Sequence, residues 1–298
     1  MIYHNSVLLK ESIDALDIKP DGIYVDVTFG GGGHSREILS RLGEGGKLFA
    51  FDQDPDAHKN TITDDRFVLI GENFRYISRF LRFYGVRKVD GVLADLGVSS
   101  HQFDVAERGF STRFDANLDM RMNQKSKLSA KKIINKYEEK ALADVLFLNG
   151  ELRNAKALAK KIIEARADQE IKTSFQLKEI LKSFLPKARE HKILAQIFQA
   201  IRIEVNQELE VLKEFLIQIP ELLNENGRLS VISYHSLEDR LVKRFIRTGM
   251  FKEEPEKDFF GNSKEPLKKI GKLITPSEEE VKYNNRARSA KLRIAQLK

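Results

Sequence analysis

The stretch richest in chemistry is VDVTFGGGGHS, residues 25–35, in which four consecutive glycines follow a short apolar run and lead into a helix-like segment. Glycines in such a turn let backbone approach a ligand closely, and a helix behind them offers free N–H groups. The dinucleotide pattern G-x-G-x-x-G is only half present, because Gly31 and Gly33 are followed by Arg36 at the third position. No Gly-Lys-Ser/Thr follows, so a Walker loop is excluded as well. Pyrophosphate is therefore not the natural occupant. A smaller, less anionic ligand end fits better, such as the amino-acid part of S-adenosylmethionine. Asp52 lies about twenty residues further on, where an acid accepts hydrogen bonds from ribose hydroxyls. That spacing serves NAD and S-adenosylmethionine equally, so it identifies a ribose and not a cofactor.

A second group lies far along the chain. SYHSLEDR offers Tyr234, His235 and Ser236 behind an apolar run, and Asp95 closes another, VDGVLAD. Tyr234 can stack on an extruded base, and His235 can position or exchange a proton. The same residues read equally well as a helix cap, with Ser236 capping and Asp239 three residues on. Asp95, a carboxylate at a strand tip, is the first candidate for a proton acceptor. In LDMRM, Arg121 pairs with phosphate or, preferably, with Asp119, and Arg108 is similarly placed beside Glu107. The chain has no cysteine, which excludes disulfides, cysteine-ligated zinc and a thiolate nucleophile. Its six histidines show no H-x-x-x-H spacing, and no metal is expected.

These residues need elements to hold them. Residues 23–28, 47–52, 66–71 and 89–95 read as buried strands, short and rich in apolar and β-branched side chains. Helical stretches separate them, one opening at Asp54-Pro55 with an acid at the cap and proline at the first turn. Strand alternating with helix predicts parallel pairing through right-handed crossovers, hence an α/β, doubly wound sheet. From about residue 125 to 216 no strand is evident. Apolar residues there recur at three- and four-residue spacing, and Ile193, Ile197, Phe198, Ile201, Val205, Leu209 and Leu212 form one stripe. Roughly ninety such residues far exceed one crossover and predict a helical insertion. The expected organisation is a first part of the sheet domain (1–124), the insertion (125–216) and the second part (217–298). There the sheet resumes at 229–234, KLITPS and AKLRIA give two antiparallel edge strands, and 251–269 reads as a mobile loop.

The composition, 298 residues with 41% hydrophobic and 32% charged, is that of a globular chain able to bury a sizeable core. No stretch approaches the roughly 20 apolar residues of a membrane span. The first residues lack the basic-then-apolar order of a secretory signal, so the expected setting is cytoplasmic, without membrane. Net charge is +7, and the tail places Arg286, Arg288, Lys291, Arg293 and Lys298 together without an acid, a pattern suited to gripping phosphates.

In order along the chain stand HNSVLLKES, VDVTFGGGGHS, DLGVSSHQ, AERGFS, LDMRM, FQAIRIEVNQEL, ISYHSLEDR and NNRARSAKLR. Together they resemble the bacterial ribosomal RNA small-subunit methyltransferase H family, over about residues 4–293. The resemblance implies a class I (Rossmann-like) methyltransferase sheet with a helical insertion subdomain, and S-adenosylmethionine as cofactor. It implies methylation of the exocyclic N4 amine of one cytosine in the decoding region of 16S ribosomal RNA. An assembled small ribosomal subunit is the expected substrate, since shape singles out one cytosine among many more readily than bases alone. It further implies that Gly32, Gly33, His34, Asp52, Phe74, Asp95 and Gln102 surround the cofactor, Asp52 on the ribose and Phe74 beside the adenine. Asp95, Tyr234 and His235 are then the catalytic candidates around the amine. Carbon-5 methylation ordinarily needs a cysteine nucleophile, and its absence leaves nitrogen or oxygen as the acceptor. The chain departs from the family pattern at Ala116, Asn117 and Asn123, and before FQA, where HKILAQI replaces a segment usually rich in Pro, Thr and Arg.

Overall fold

The computed structural model of the chain describes residues 6–252 and 265–298. Its first half follows the alternation expected from the sequence: α1 (Leu9–Asp14), β1 (Ile23–Asp26), α2 (Gly33–Arg41), β2 (Lys47–Phe51), β3 (Phe67–Ile70), α3 (Ile77–Phe83) and β4 (Val89–Asp95). Six helices come next: α4 (Ser100–Asp104), α5 (Ala130–Lys136), α6 (Glu139–Leu148), α7 (Ala155–Asp168), α8 (Ser174–Ile180) and α9 (Glu190–Asn206). The chain closes with α10 (Glu208–Leu222), β5 (Leu223–Ser233), α11 (Ser236–Thr248), β6 (Leu267–Ile274), α12 (Glu278–Tyr283) and β7 (Lys291–Leu297). Among the described residues the seven strands form one sheet of order β3-β2-β1-β4-β5-β7-β6. Strands β1 to β5 pair in parallel, whereas β7 runs antiparallel to both β5 and β6. The direction of winding reverses between β1 and β4, and at such a switch point a crevice opens outside the carboxyl ends of the strands. Asp26, Asp52 and Asp95 stand at or just beyond three of those ends.

The chain divides into two compact units, Met1–Gly97 with Leu209–Lys298, and Val98–Glu208. The helical unit thus begins and ends earlier than the 125–216 read from the sequence. The early start has a packing cause, since Phe110, Leu118 and Met120 are buried in the same apolar cluster as Ile133, Leu146, Leu158 and Ile197. Gln207 explains the early end. It adopts φ 53 at the end of α9 and breaks what reads as one stripe, so Leu212, Phe215 and Leu216 of α10 pack into the core of the sheet unit.

Other expectations are corrected locally. The Asp54-Pro55 signal yields only a 3₁₀ turn, Ala57–Asn60, in a connection whose polar side chains bond their own backbone, with Asp54 accepting from the Asp56 N–H. Strand β5 starts six residues before Leu229. In the stretch expected as a loop, residues 253–264 lie outside the described residues, but Leu267 to Lys269 belong to β6. Among the described residues no helix is long and apolar enough to cross a membrane.

Candidate functional site

The glycine loop leaves β1 at its carboxyl end. Gly30 and Gly32 hold φ values of 51 and 76, the left-handed region that costs an ordinary residue about 1–2 kcal/mol. Gly32 precedes the first turn of α2, and a Cβ on it would stand 2.9 Å from both Phe29 and Arg36. At Gly33 a Cβ would land on the Ser6 hydroxyl. The loop therefore requires glycine for its own geometry, and the result is bare backbone ahead of a helix N-terminus.

Asp52 lies one residue beyond β2 and fastens this loop. Its Oδ2 accepts the Gly30 N–H at 2.8 Å, and its Oδ1 accepts the Asp54 N–H at 2.8 Å. Burial raises its carboxyl from the ordinary aspartate range to about 6, against the lowering effect of those two N–H donors. Each carboxylate oxygen retains a lone-pair site, so a vicinal diol can donate to the same group. Phe74 follows β3, half-buried, with its ring edge-on to Phe215 at 5.3 Å. That anchors the ring at the rim of the same strand ends.

Asp95 ends β4 in side-chain company. Tyr234, just past β5, donates its hydroxyl to Asp95 Oδ1 at 2.7 Å, and His34 Nδ1 stands 3.8 Å from Oδ2. The Asp95 backbone N–H donates to Thr28 Oγ1 at 2.7 Å. Its side chain remains 22% exposed. Burial raises the Asp95 carboxyl to about 6; His34 and the Tyr234 hydroxyl pull it down, and Asp26 and Glu238 push it up. The Tyr234 phenol is driven well above its usual range, first by burial and then by the Asp95 charge.

His235 is the cap of α11. Its Nδ1 accepts the Glu238 N–H at 3.4 Å, and the Glu238 carboxylate accepts the backbone N–H groups of Tyr234 and His235 at 3.0 and 3.3 Å. The capping box is therefore His235 with Glu238, one residue earlier than the Ser236 and Asp239 read from the sequence. Asp239 is committed elsewhere, accepting from Arg293 Nε at 2.6 Å and from Lys291 Nζ at 3.3 Å. Lys298 pairs with Glu265. Three of the five tail cations expected to grip phosphate are thus neutralised within the protein.

Gln102 belongs to the helical unit, where it is buried and closes the cap of α4. Its side chain accepts the Ser99 N–H at 3.1 Å, and Ser99 Oγ accepts the Gln102 N–H at 3.2 Å. Arg121 pairs with Asp119 at 2.6 Å, as preferred from the sequence. Arg108 is buried and donates to the carbonyls of Arg121 and Met122 at 2.9 and 3.2 Å. Asn206 Nδ2 donates to the Met120 carbonyl, and Asn206 Oδ1 accepts from the Met122 N–H, each at 2.8 Å. AERGFS, LDMRM and the end of FQAIRIEVNQEL thus bind one another.

Sequence reasoning passed over several residues. Asp26 is fully buried at the end of β1 and accepts the Ser35 hydroxyl at 2.7 Å and the Thr28 N–H at 3.0 Å. An acid closing the first strand was a visible signal. Thr28 and Glu238 gave none, because their partners are distant in sequence or lie in their own caps.

A doubly wound sheet with a glycine-rich first turn, an acid after β2 and an acid at the tip of β4 is the arrangement of a Rossmann-like nucleoside-binding protein. The family model of the MraW methylases matches residues 1–298. The chain is 68% identical to the ribosomal RNA small subunit methyltransferase H of Flavobacterium johnsoniae over 99% of its length and 98% of that protein's. Its counterpart in Christiangramia forsetii is 67% identical over 99% and 98%, and one in Bacteroides fragilis is 56% identical over 99% and 98%. The chain belongs to the MraW methylase family; it is a methyltransferase and uses S-adenosylmethionine.

Proposed function

We propose that this protein methylates the exocyclic N4 amine of a specific cytosine in 16S ribosomal RNA, acting in the cytoplasm on an assembled small subunit. The observation that carries the reading is the Asp95 carboxylate, partly exposed at the tip of β4 and held by Tyr234. The cysteine-free composition leaves nitrogen as an acceptor, and curated relatives named as small-subunit RNA methyltransferases support the substrate class.

The site fits the cofactor. The glycine turn would admit its amino-acid end, Asp52 would accept from its ribose, and Phe74 would flank its adenine. S-adenosylmethionine supplies an electrophilic methyl group on a sulfonium. The protein's own contribution is placement and charge, because the lone pair of a cytosine amine is delocalised into the ring. Asp95 accepts a hydrogen bond from that amine, favours its pyramidal geometry and takes the proton. Tyr234 orients Asp95 through its hydroxyl and presents its ring to the base. His235 works at one remove, by fixing the start of α11 and with it the backbone of Tyr234.

A polyanionic partner is matched on the sheet unit by a groove of about 580 Å³ between α11 and the β6–β7 edge. Lys243, Lys268, Lys269 and Lys272 line it, over apolar side chains such as Leu267 and Ile294. These four lysines take part in no ion pair among the described residues. They are the phosphate-facing cations we assign in place of the paired tail.

The test is mass spectrometry of nuclease-digested RNA after incubation with the cofactor and either naked 16S RNA or purified small subunits. One N4-methylcytidine, formed faster in subunits, is the expected result. A 5-methylcytidine product, or equal methylation of free cytidine, overturns the reading.

A further inference from the structure

The peptide group joining Val7 to Leu8 is held at both ends by side chains remote in sequence. Its carbonyl lies 3.2 Å from His34 Nε2. Its N–H donates to Glu280 Oε1 at 2.8 Å, across 272 residues of chain. A peptide is planar, so clamping the N–H fixes the direction of the carbonyl. The clamp also holds a conformation that a leucine avoids, since Leu8 has φ 50. Glu280 is itself fixed, because its backbone N–H donates to Ser277 Oγ at 3.1 Å at the start of α12.

A carbonyl oxygen only accepts, so the hydrogen in the contact with Val7 belongs to His34 Nε2. The neutral ring then carries a bare lone pair on Nδ1, and Nδ1 faces Asp95 Oδ2 at 3.8 Å. A lone pair facing a carboxylate is repulsive unless one proton lies between them. The imidazole is buried, with 5% of its side chain exposed, and water does not relieve the conflict.

We propose that Glu280, acting through the Val7–Leu8 peptide, sets the tautomer of His34, whose Nδ1 lone pair then primes Asp95 to take the proton released by the amine. The inference rests on the reading of Asp95 given above. In the transfer, the methyl–sulfur bond of the cofactor would break with its electron pair left on sulfur as the methyl carbon bonds to nitrogen; the amine N–H bond breaks, its electron pair stays on nitrogen, and the proton passes to Asp95 Oδ2. The Nδ1 lone pair of His34, 3.8 Å away, then faces a neutral carboxyl in place of a charged one. The charged and titratable groups around the pair are Asp26 from β1, Tyr234 beyond β5 and Glu238 from α11, with Glu280 from α12 facing Tyr234. A charged His34 and the Tyr234 hydroxyl lower the Asp95 carboxyl; the neutral Nε2–H ring has no charge with which to do so. Glu280 is a positioning residue and touches no reacting atom.

Two measurements test this. Nitrogen-15 NMR of the histidine rings in the cofactor-free protein should show His34 as the Nε2–H tautomer in the wild type. Glu280→Ala should give mixed tautomers, and Glu280→Gln, whose amide oxygen can still accept the Leu8 N–H, should restore one. In single-turnover methylation at saturating cofactor, Asp95 must be ionised to accept the proton. The Nδ1 lone pair favours a protonated Asp95, so with His34 loosened the acidic limb of the pH–rate profile should move to lower pH in Glu280→Ala and return in Glu280→Gln. His34→Gln gives the same shift if Glu280→Ala folds poorly. An Nδ1–H tautomer in the wild type, or a rate loss equal at all pH values, overturns the proposal. Absence of N4 methylation by the wild type with the Nε2–H tautomer present would overturn the substrate reading instead.

Discussion

Asp52 and Asp95 flank the first strand of the sheet, one beyond β2 and the other at the end of β4, and burial raises both carboxyls to about 6. Their partners differ in kind. Asp52 is held by backbone N–H groups from Gly30 and Asp54, 22 and 2 residues away. Asp95 is held by side chains, with the Tyr234 hydroxyl coming from 139 residues away and the His34 ring beside it. Backbone donors have no proton to exchange and cannot reorient, which suits a fixed acceptor that recognises a diol. Hydroxyl and imidazole protons move, which suits a group that must take a proton and later release it. On the function proposed above, the same residue type at equivalent strand tips serves binding in one place and chemistry in the other, and the titratability of its neighbours is what differs.

Substitution should separate the two roles. The largest effect is expected for Asp95→Asn, which should slow single-turnover methylation by about 10²–10⁴-fold and change cofactor affinity, measured calorimetrically, less than tenfold. Equal losses in both would end the division of labour. Next, Asp52→Ala should weaken cofactor binding by about 1.5–3 kcal/mol, the range for hydrogen bonds to a charged group. Its rate at saturating cofactor should stay within a few-fold of wild type.

The pH dependence sharpens the contrast further. A ribose donates to the ionised form of Asp52, so cofactor affinity should fall as pH drops below about 6, by up to about tenfold per unit. Asp52→Asn should flatten that dependence. Stability of the cofactor-free protein responds with the opposite sign. A carboxyl raised in the fold is protonated more readily there than in the unfolded chain, so its contribution to stability grows as pH falls from about 7 to 4. Urea titrations of wild type and Asp95→Asn should show the variant more stable near pH 7, with the gap closing towards pH 4. The smallest effect is expected for Gly33→Ala, whose added methyl meets Ser6. Overpacking of that kind costs about 1–3 kcal/mol, visible as a lowered Tm with the Asp95 chemistry intact.

Much of the sheet was legible before any coordinates, because strand pattern and parallel order follow from apolar runs spaced by helices. Strands β1 to β4 fall within a residue or two of their expected limits, and an antiparallel pair closes the edge as expected, although β6 begins five residues before KLITPS and ends at Ile274. The boundary of the helical unit was not legible. Nothing local in residues 98–124 says that Phe110, Leu118 and Met120 turn into a helical core, and the stripe through α9 and α10 hides the break at Gln207. The cap of α11 was misread by one residue because Ser236-x-x-Asp239 and His235-x-x-Glu238 are both admissible boxes. Arg293 and Lys291 decide between them by claiming Asp239.

By itself the sequence determined the class of fold, the bare loop after β1, the acid that fastens it and the absence of a thiol for carbon-5 chemistry. All of these rest on residue types and short spacings. Only the tertiary structure decided which cations stay available for phosphate, that His235 is a cap, and that Glu280 reaches a peptide at the opposite end of the chain. Those outcomes depend on contacts between segments more than a hundred residues apart or on competition between equivalent local partners. Packing selects among them, because a buried polar group left unpaired costs more than any local preference supplies.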